Sequence, residues 1–369
     1  MCRPLEAFPL QLSVEALPSL ALYLTSTNMD KLASLRLPDL ERLARMNVPP
    51  QYLKPLAALG GLWAFSQLYK LSSFTWYHFL RPYNLSKYKK GGKGEPWALV
   101  TGASDGIGVG FAEELASQGF NVILHGRNQQ KLQGVKEQLL SQWPARKFEI
   151  LILDAIADAG NTDKMAAALS EFKDLNLKIL INNVGGVAGE KPAFRKFHEQ
   201  PPSIIDGWID INLRFATQFT RQVLPTLIAN QSALIINISS GAADAPSPWI
   251  AVYSGTKAFN KSWSRSLAVE LLDEGHDIDC HAIIVGPTAT SRLGLDVSMT
   301  QPSPRTMARS SLGYAGTGVR DVAAYWGHDY LMTLFAILPG SFAENFISNF
   351  SKQMVKKELQ ELEEEAKRQ

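Results

Sequence analysis

The chain has 369 residues, of which 46% are hydrophobic, and its 37 Lys and Arg nearly balance its 35 Asp and Glu. A net charge of +2 argues against a nucleic-acid-binding surface, and the apolar content suffices for one large domain or two smaller ones. Only Cys2 and Cys280 occur, far apart, so neither a disulfide framework nor a Cys-rich metal site is expected; His276 and His281 follow no metal-ligand pattern.

Residues 1–52 form an extension to which no role is assigned. Leu17 to Leu24 is apolar but lacks a basic flank and a clean cleavage site, which argues against a signal peptide. Asp39 to Met46 has the pattern of a short amphipathic helix that Pro38 could open, with Glu41 and Arg45 one turn apart. Pro55 to Tyr69 then carries no charge and holds Leu56, Leu59, Leu62, Trp63, Phe65 and Leu68. Fifteen helical residues reach only about 22 Å against a hydrocarbon core of roughly 30 Å. Continuing past Lys70 through Phe74, Trp76, Tyr77 and Phe79 gives ample length and an aromatic cluster suited to a membrane interface. Residues 53–80 are therefore expected to be a membrane-anchor helix, with a helix packed on the following domain as the alternative. Arg81, Lys87, Lys89, Lys90 and Lys93 follow it, which biases that domain toward the cytosolic side. Residues 81–95 read as a basic linker, flexible at Lys90-Gly-Gly-Lys-Gly94.

From residue 96 the pattern changes. Trp97 to Thr101 is a continuous apolar run, as in a strand buried on both faces. Gly102, Gly106 and Gly108 follow, and then helical periodicity from Phe111 to Gln118. Strand, glycine turn and helix make the unit that receives a dinucleotide, because glycines let the backbone approach a pyrophosphate and a helix start offers free N–H groups. Ser104, Asp105 and Ile107 lie in the same turn and are counted as cofactor-binding with it. Further strands are expected at Asn121–His125, Phe148–Leu153, Lys178–Ile181, Ala233–Ile238 and Asp279–Val285, with a long helix from Ile204 to Ile228. The second strand is followed by Gly126-Arg127-Asn128 where an NAD site would place an acid, and the Arg127 cation there favours NADP. The predicted fold class is α/β: a single doubly wound Rossmann-type parallel sheet with helices on both faces over residues 96–300. It is flanked by the N-terminal hydrophobic helix and by a C-terminal helical extension over 301–369.

Tyr253 and Lys257 are four residues apart, on one face of a helix, and an ammonium beside a phenol favours the phenolate. Ser240 lies 13 residues before Tyr253 at the end of a strand, and Asn212 lies 28 residues before Ser240. A mid-helix Asn is unfavourable unless it bonds something specific. Together with Thr101-Gly-Ala-Ser-Asp-Gly-Ile-Gly108 and Asn182-Asn183-Val184-Gly185, this quartet resembles the short-chain dehydrogenase/reductase family, from about Trp97 to about Arg292.

The resemblance implies roles. Ser240 would hydrogen-bond a substrate carbonyl, with Ser239 the fallback; Tyr253 would donate the proton; Lys257 would hold the cofactor ribose and keep Tyr253 acidic. Asn212 would kink its helix and hold a relay water. Asp154 would meet the adenine, while Asn183 would act partly as structure and partly as a contact to the cofactor ribose. Family members usually follow the sixth strand with Pro-Gly and a Thr that meets the nicotinamide amide. Here the order is Gly286-Pro287, and Thr288 is the first choice for that contact, with Ser291 second.

The hydrophobic segment with Phe79-Leu-Arg-Pro82, the Asp105 form of the glycine turn, Asn-Asn-Val-Gly and Pro302-Ser-Pro304 resemble one branch in particular. It holds the membrane-bound very-long-chain 3-oxoacyl-CoA reductases and the related 17β-hydroxysteroid dehydrogenases. That likeness implies NADPH, the endoplasmic reticulum membrane with the catalytic domain facing the cytosol, and an acyl-CoA or other hydrophobic substrate. A second copy of the chain and proteins of a fatty acid elongation complex are the partners it brings into view; no metal is implied. The chain departs from the branch at Gly286-Pro287, in its N-terminal extension and at its C-terminus, and shows no obvious seventh strand. Leu331–Leu338, before the break at Pro339-Gly340, is read as an interfacial segment, a cap on a substrate pocket or a buried helix, and 351–369 as a charged, solvated helix. The leading expectation is an NADPH-dependent 3-oxoacyl-CoA ketoreductase. The alternatives are a hydroxysteroid dehydrogenase, a tailoring reductase, or a silent nucleotide-binding scaffold.

Overall fold

The computed structural model describes residues 49–187, 192–291, 293–338 and 340–368. The helix expected over 39–46, Arg292 and Pro339 lie outside them. The chain divides into two units, residues 1–69 and 70–369. In the first, helix α1 (Pro50–Thr75) begins, and its Leu56, Leu59, Trp63, Phe65 and Leu68 side chains are exposed. No helix among the described residues is long and apolar enough to cross a membrane.

The second unit is built on seven parallel strands: β1 (Pro96–Thr101), β2 (Asn121–Gly126), β3 (Phe148–Ile152), β4 (Asn176–Asn182), β5 (Ala233–Ser240), β6 (Ile278–Val285) and β7 (Asp321–Val322). Their order is β3-β2-β1-β4-β5-β6-β7. The strands read as unbroken apolar runs because both faces are covered. Alternate residues supply two cores. Ala98, Val100, Val122, Leu124, Ile179 and Ile181 pack with α2 (Gly106–Ser117), α3 (Gln129–Gln142) and, later in the chain, Met307 and Leu312. Leu99, Ile123, Leu180 and Ile235 pack on the other face with α4 (Thr162–Ser170) and with Phe215, Phe219, Leu267 and Leu271. Each such fully buried Val, Leu, Ile, Met or Phe side chain contributes about 1.5–3 kcal/mol. The order reverses between β1 and β4, so a crevice opens at the carboxyl ends of these two strands.

The long helix expected over 204–228 is two, α5 (Pro202–Ile209) and α6 (Phe215–Ala229), joined by a π turn at Asp210–Arg214 that contains Asn212. Helix α7 (Ala251–Asp273) carries Tyr253 and Lys257. After β6 come α8 (Pro304–Leu312), capped by Ser303, and the seventh strand that the sequence did not show; it is two residues long, too short to leave a pattern. Helices α9 (Trp326–Ile337) and α10 (Gly340–Arg368) complete the chain.

Three terminal segments differ from expectation. Residues 81–95 are pinned rather than free: Leu85 and Tyr88 are buried, and Lys87 pairs with Asp277 and Asp279 at 2.8 Å. Asn176 Nδ2 donates to the Gly91 and Gly94 carbonyls, and the buried Lys178 ammonium donates to the Lys90, Asn230 and Gln231 carbonyls. The aromatic cluster at 74–80 packs within the second unit as well. His78 pairs with Asp329 at 2.8 Å, Tyr77 stacks on Tyr314, and the Arg81 guanidinium donates to the Gly313 and Ala315 carbonyls. In α10 the expected solvated character breaks at Lys357 and Glu358, which reach back to loops of the sheet.

Candidate active site

At the β1 end, backbone and small residues make the site. Gly102 has φ +67°, and a Cβ there would lie 3.0 Å from the Val184 backbone; one on Gly108 would lie 2.1 Å from the Gly102 carbonyl. Only glycine permits this turn to close on the strand behind it. Thr101 Oγ1 accepts from the N–H groups of Asn183 and Val184, and Asn183 Nδ2 donates to the Thr101 carbonyl at 2.9 Å. Asn183 thus clamps the glycine turn. Asp105 caps α2 by accepting from the Gly106 N–H at 2.7 Å, and it also accepts the Ser291 hydroxyl at 2.8 Å. This engages Ser291 with Asp105. Ser104 and Ile107 are half-buried within the same turn.

Beyond β2 and β3 lies an open cleft of ≈ 440 Å³ lined by Arg127, Asn128, Ile152, Leu153, Asp154, Asp158 and Lys164. The Arg127 guanidinium is 70% exposed and 3.7 Å from the Asp154 carboxylate, which itself accepts from the Ile156 N–H. Arg127 and Asp154, which the resemblance assigns to the cofactor, thus line one cleft. His125 lies buried beneath, stacked on Phe215; burial lowers its pKa to about 4 and keeps it neutral.

The residues that the resemblance makes catalytic lie where β5, α7 and the loop after β4 meet. Lys257 is 4% exposed and its ammonium donates to the Ile238 carbonyl at 2.9 Å, 5.8 Å from the centre of the Tyr253 ring. Burial lowers its pKa to about 8, which still leaves it mostly charged at pH 7. The two adjacent serines separate cleanly. Ser239 donates to the Lys257 carbonyl at 2.7 Å and ties β5 to α7, whereas Ser240 accepts from the Ala242 N–H and its hydroxyl proton has no acceptor among the described residues. Ser240, not Ser239, has a proton to give.

Asn212 is 1% exposed; it accepts from the Gly186 N–H and donates to the Gly186 and Trp208 carbonyls. These bonds leave one lone pair of Oδ1 for any water. A Cβ on Gly185 would lie 2.7 Å from Asn212 Oδ1 and 3.1 Å from Lys257 Nζ, so the loop after β4 passes between the two because it has no side chain there. Thr288 is buried and donates weakly to the Gly286 carbonyl at 3.3 Å.

Sequence reasoning missed the residues that hold these loops from afar. His328 on α9 bonds the Gly286-Pro287 segment, and a Cβ on Gly241, beside Ser240, would meet the Met332 methyl at 2.9 Å. Glu358 accepts from the Ala193 and Phe194 N–H groups, and Lys357 donates to the Leu293 carbonyl. None sits in a motif; each acts across a span of sequence that periodicity does not record.

The sequence profile of the short chain dehydrogenases matches residues 96–299, the span that holds the glycine turn, Asn212, Ser240, Tyr253, Lys257 and Thr288. The chain belongs to the short-chain dehydrogenase/reductase family. It is thus an oxidoreductase, and it is similar to the branch of very-long-chain 3-oxoacyl-CoA reductases. It is 34% identical over 302 residues to a very-long-chain 3-oxoacyl-CoA reductase of Podospora anserina, covering 77% of this chain and 83% of that one. It is 33% identical to a very-long-chain 3-oxoacyl-CoA reductase-like protein of Arabidopsis thaliana, covering 80% and 93%. Among solved structures, a short-chain dehydrogenase from Sphingobium yanoikuyae in complex with NADPH is 26% identical with a TM-score of 0.53, covering 66% of this chain and 96% of that one.

Proposed function

We propose that this short-chain dehydrogenase/reductase uses NADPH to reduce the keto group of a long-chain 3-oxoacyl-CoA to the 3-hydroxyacyl-CoA. The observation that carries the chemistry is the division of labour at the end of β5: Ser239 is spent on tying the strand to α7 while Ser240 keeps its proton, and on α7 the buried, charged Lys257 lies 5.8 Å from the Tyr253 ring. A scaffold that only binds nucleotide needs none of this. The substrate class rests on the names of the relatives.

The residues fit a dinucleotide. The glycine turn leaves a cradle that side chains would fill, the start of α2 offers N–H groups, and Arg127 is an exposed cation in the cleft where a 2′-phosphate would lie. Tyr253 and Lys257 would hold the ribose, and Thr288 the nicotinamide amide. When bound, the cofactor supplies the hydride. Ser240 donates a hydrogen bond to the substrate oxygen and fixes the carbonyl. Tyr253 gives its proton to that oxygen, so the C=O becomes CH–OH. The charge of Lys257 favours the phenolate left behind, and solvent, relayed at the Asn212 turn, returns the proton.

The exposed apolar side chains of α1 support attachment to a membrane, and the resemblance points to that of the endoplasmic reticulum. Carbonate extraction tests the attachment: the full chain should stay in the pellet, and a chain starting at Lys70 should be released at least in part. The substrate is tested by following NADPH absorbance with purified protein in detergent. Long-chain 3-oxoacyl-CoA should be consumed and 17-keto steroids left; turnover of the steroids alone would overturn the substrate assignment.

A further inference from the structure

The loop after β6 departs from its family's usual order, with Gly286 before Pro287. The structure shows what this order makes available. A proline at 286 would have no N–H, whereas Gly286 has one and donates it to His328 Nδ1 at 3.1 Å. The other ring nitrogen of His328 lies 3.1 Å from the Pro287 carbonyl, and since a carbonyl only accepts, Nε2 carries the hydrogen. One imidazole thus holds two successive peptide groups. The fit is also steric: a Cβ on residue 286 would lie 2.6 Å from the ring, so glycine is the residue that admits it. His328 is 2% exposed, and burial lowers its pKa, consistent with the neutral ring that an accepting Nδ1 requires.

The imidazole is itself held. It lies in the first turn of α9, and each neighbour in that turn is fixed to something else. Tyr325 donates its hydroxyl to the Met299 carbonyl at 2.9 Å, a Cβ on Gly327 would lie 2.4 Å from that same carbonyl, and Asp329 pairs with the buried His78. The turn can therefore transmit position rather than drift with the loop. Thr288 follows immediately after the clamped pair and is buried.

We infer that His328 is a positioning residue: through Gly286 and Pro287 it sets where Thr288 stands, and so where the nicotinamide ring lies against the substrate. The inference rests on the proposed reading of Thr288 as the nicotinamide contact. It does not make His328 a catalytic residue, since it reaches neither the reacting groups nor a place where they would act.

The test compares the full chain with His328→Ala and His328→Gln, because a Gln amide can accept one bond and donate the other. Hydrogen exchange of the segment 283–291 should quicken about tenfold or more in His328→Ala and return toward the parent in His328→Gln. Turnover should fall about 10–100-fold in His328→Ala, the scale of a misplaced reactant. NADPH affinity, measured by fluorescence, should fall less than about tenfold, because Arg127 and the glycine turn remain. His328→Gln should recover most of the turnover. If His328→Ala does not fold, His328→Phe keeps a ring and removes both bonds, and the Phe/Gln pair carries the same comparison. Unchanged exchange at 283–291, or equal turnover in the Gln and the Ala or Phe variants, overturns the proposal while leaving the cofactor reading intact. Failure of the parent to bind NADPH overturns the cofactor reading, and with it the nicotinamide half of this inference.

Discussion

The two ends of the proposed cofactor cleft are built on opposite principles. At the adenine end Arg127 is 70% exposed, its carboxylate partner is partly solvated and the cleft is open. At the reacting end Asn212, Lys257 and Thr288 are each under 5% exposed and bonded to backbone. An exposed cation in water can choose between ligands but cannot hold a geometry to a fraction of an ångström. Buried groups with fixed partners can, at the cost of desolvating a charge. The contrast predicts that changes at one end alter turnover and those at the other alter affinity.

The largest effect should come from Tyr253→Phe. It removes the proton donor but leaves every backbone contact of the glycine turn, so NADPH binding should stay near the parent value while turnover falls about 10²–10⁴-fold. Equal turnover would remove Tyr253 from its role and erase the contrast.

Lys257 sharpens it from another side. Its pKa falls from 10.5 in the unfolded chain to about 8 when folded, because burial disfavours the charged form. Between these values the unfolded chain binds a proton that the folded one does not, so this residue makes stability rise with pH from about 8 to 10.5, by roughly 3 kcal/mol in all. Below pH 8 the folded protein bears the full penalty. Denaturant melts of the parent across that window should show the rise, and Lys257→Met, inactive in turnover, should lack it. Identical slopes in the two would mean that the ammonium is not desolvated as its burial implies.

Arg127→Ala should act on affinity alone, weakening NADPH about 10–100-fold, the scale of a lost charge-assisted contact, and NADH far less. Because Arg127 is exposed, the difference should shrink as salt is added. Equal losses for both cofactors would show that Arg127 does not read a 2′-phosphate. The smallest effect is expected far from the reacting groups: Glu358→Gln weakens the hold on the Ala193 and Phe194 N–H groups by about 1 kcal/mol, and should lower stability by that amount with kcat unchanged. A fall in kcat instead would place Glu358 within the rigid end.

What was legible in the chain follows the same division. The strands, the glycine turn and the Ser240–Tyr253–Lys257 spacing were readable because each is written in a short stretch, through apolar runs, positive φ or one helical turn. The π turn at Asn212 was read only as a kinked position in one helix, since the bonds that hold it run to Gly186 across the fold. His328, Met332 and Glu358 carry no local signal at all. The segment 81–95 misled more directly: its glycines and lysines match a linker, and only the side-chain donors of β4 and the carboxylates of β6 and the turn before it make it a bound strap.

That strap has a consequence for how the protein is made. Its partners lie far downstream, Tyr88 bonding Asp279 across 191 residues, so on the ribosome it must wait for nearly the whole sheet to be synthesised. At about 5–20 residues per second the wait is roughly 10–40 s. Throughout that time the Tyr88 hydroxyl lacks its carboxylate partner. Arrival of β6 is then the event that supplies it, and release of a nascent chain stalled before Asp279 should leave this segment open to a protease that no longer cuts it once synthesis has passed β6.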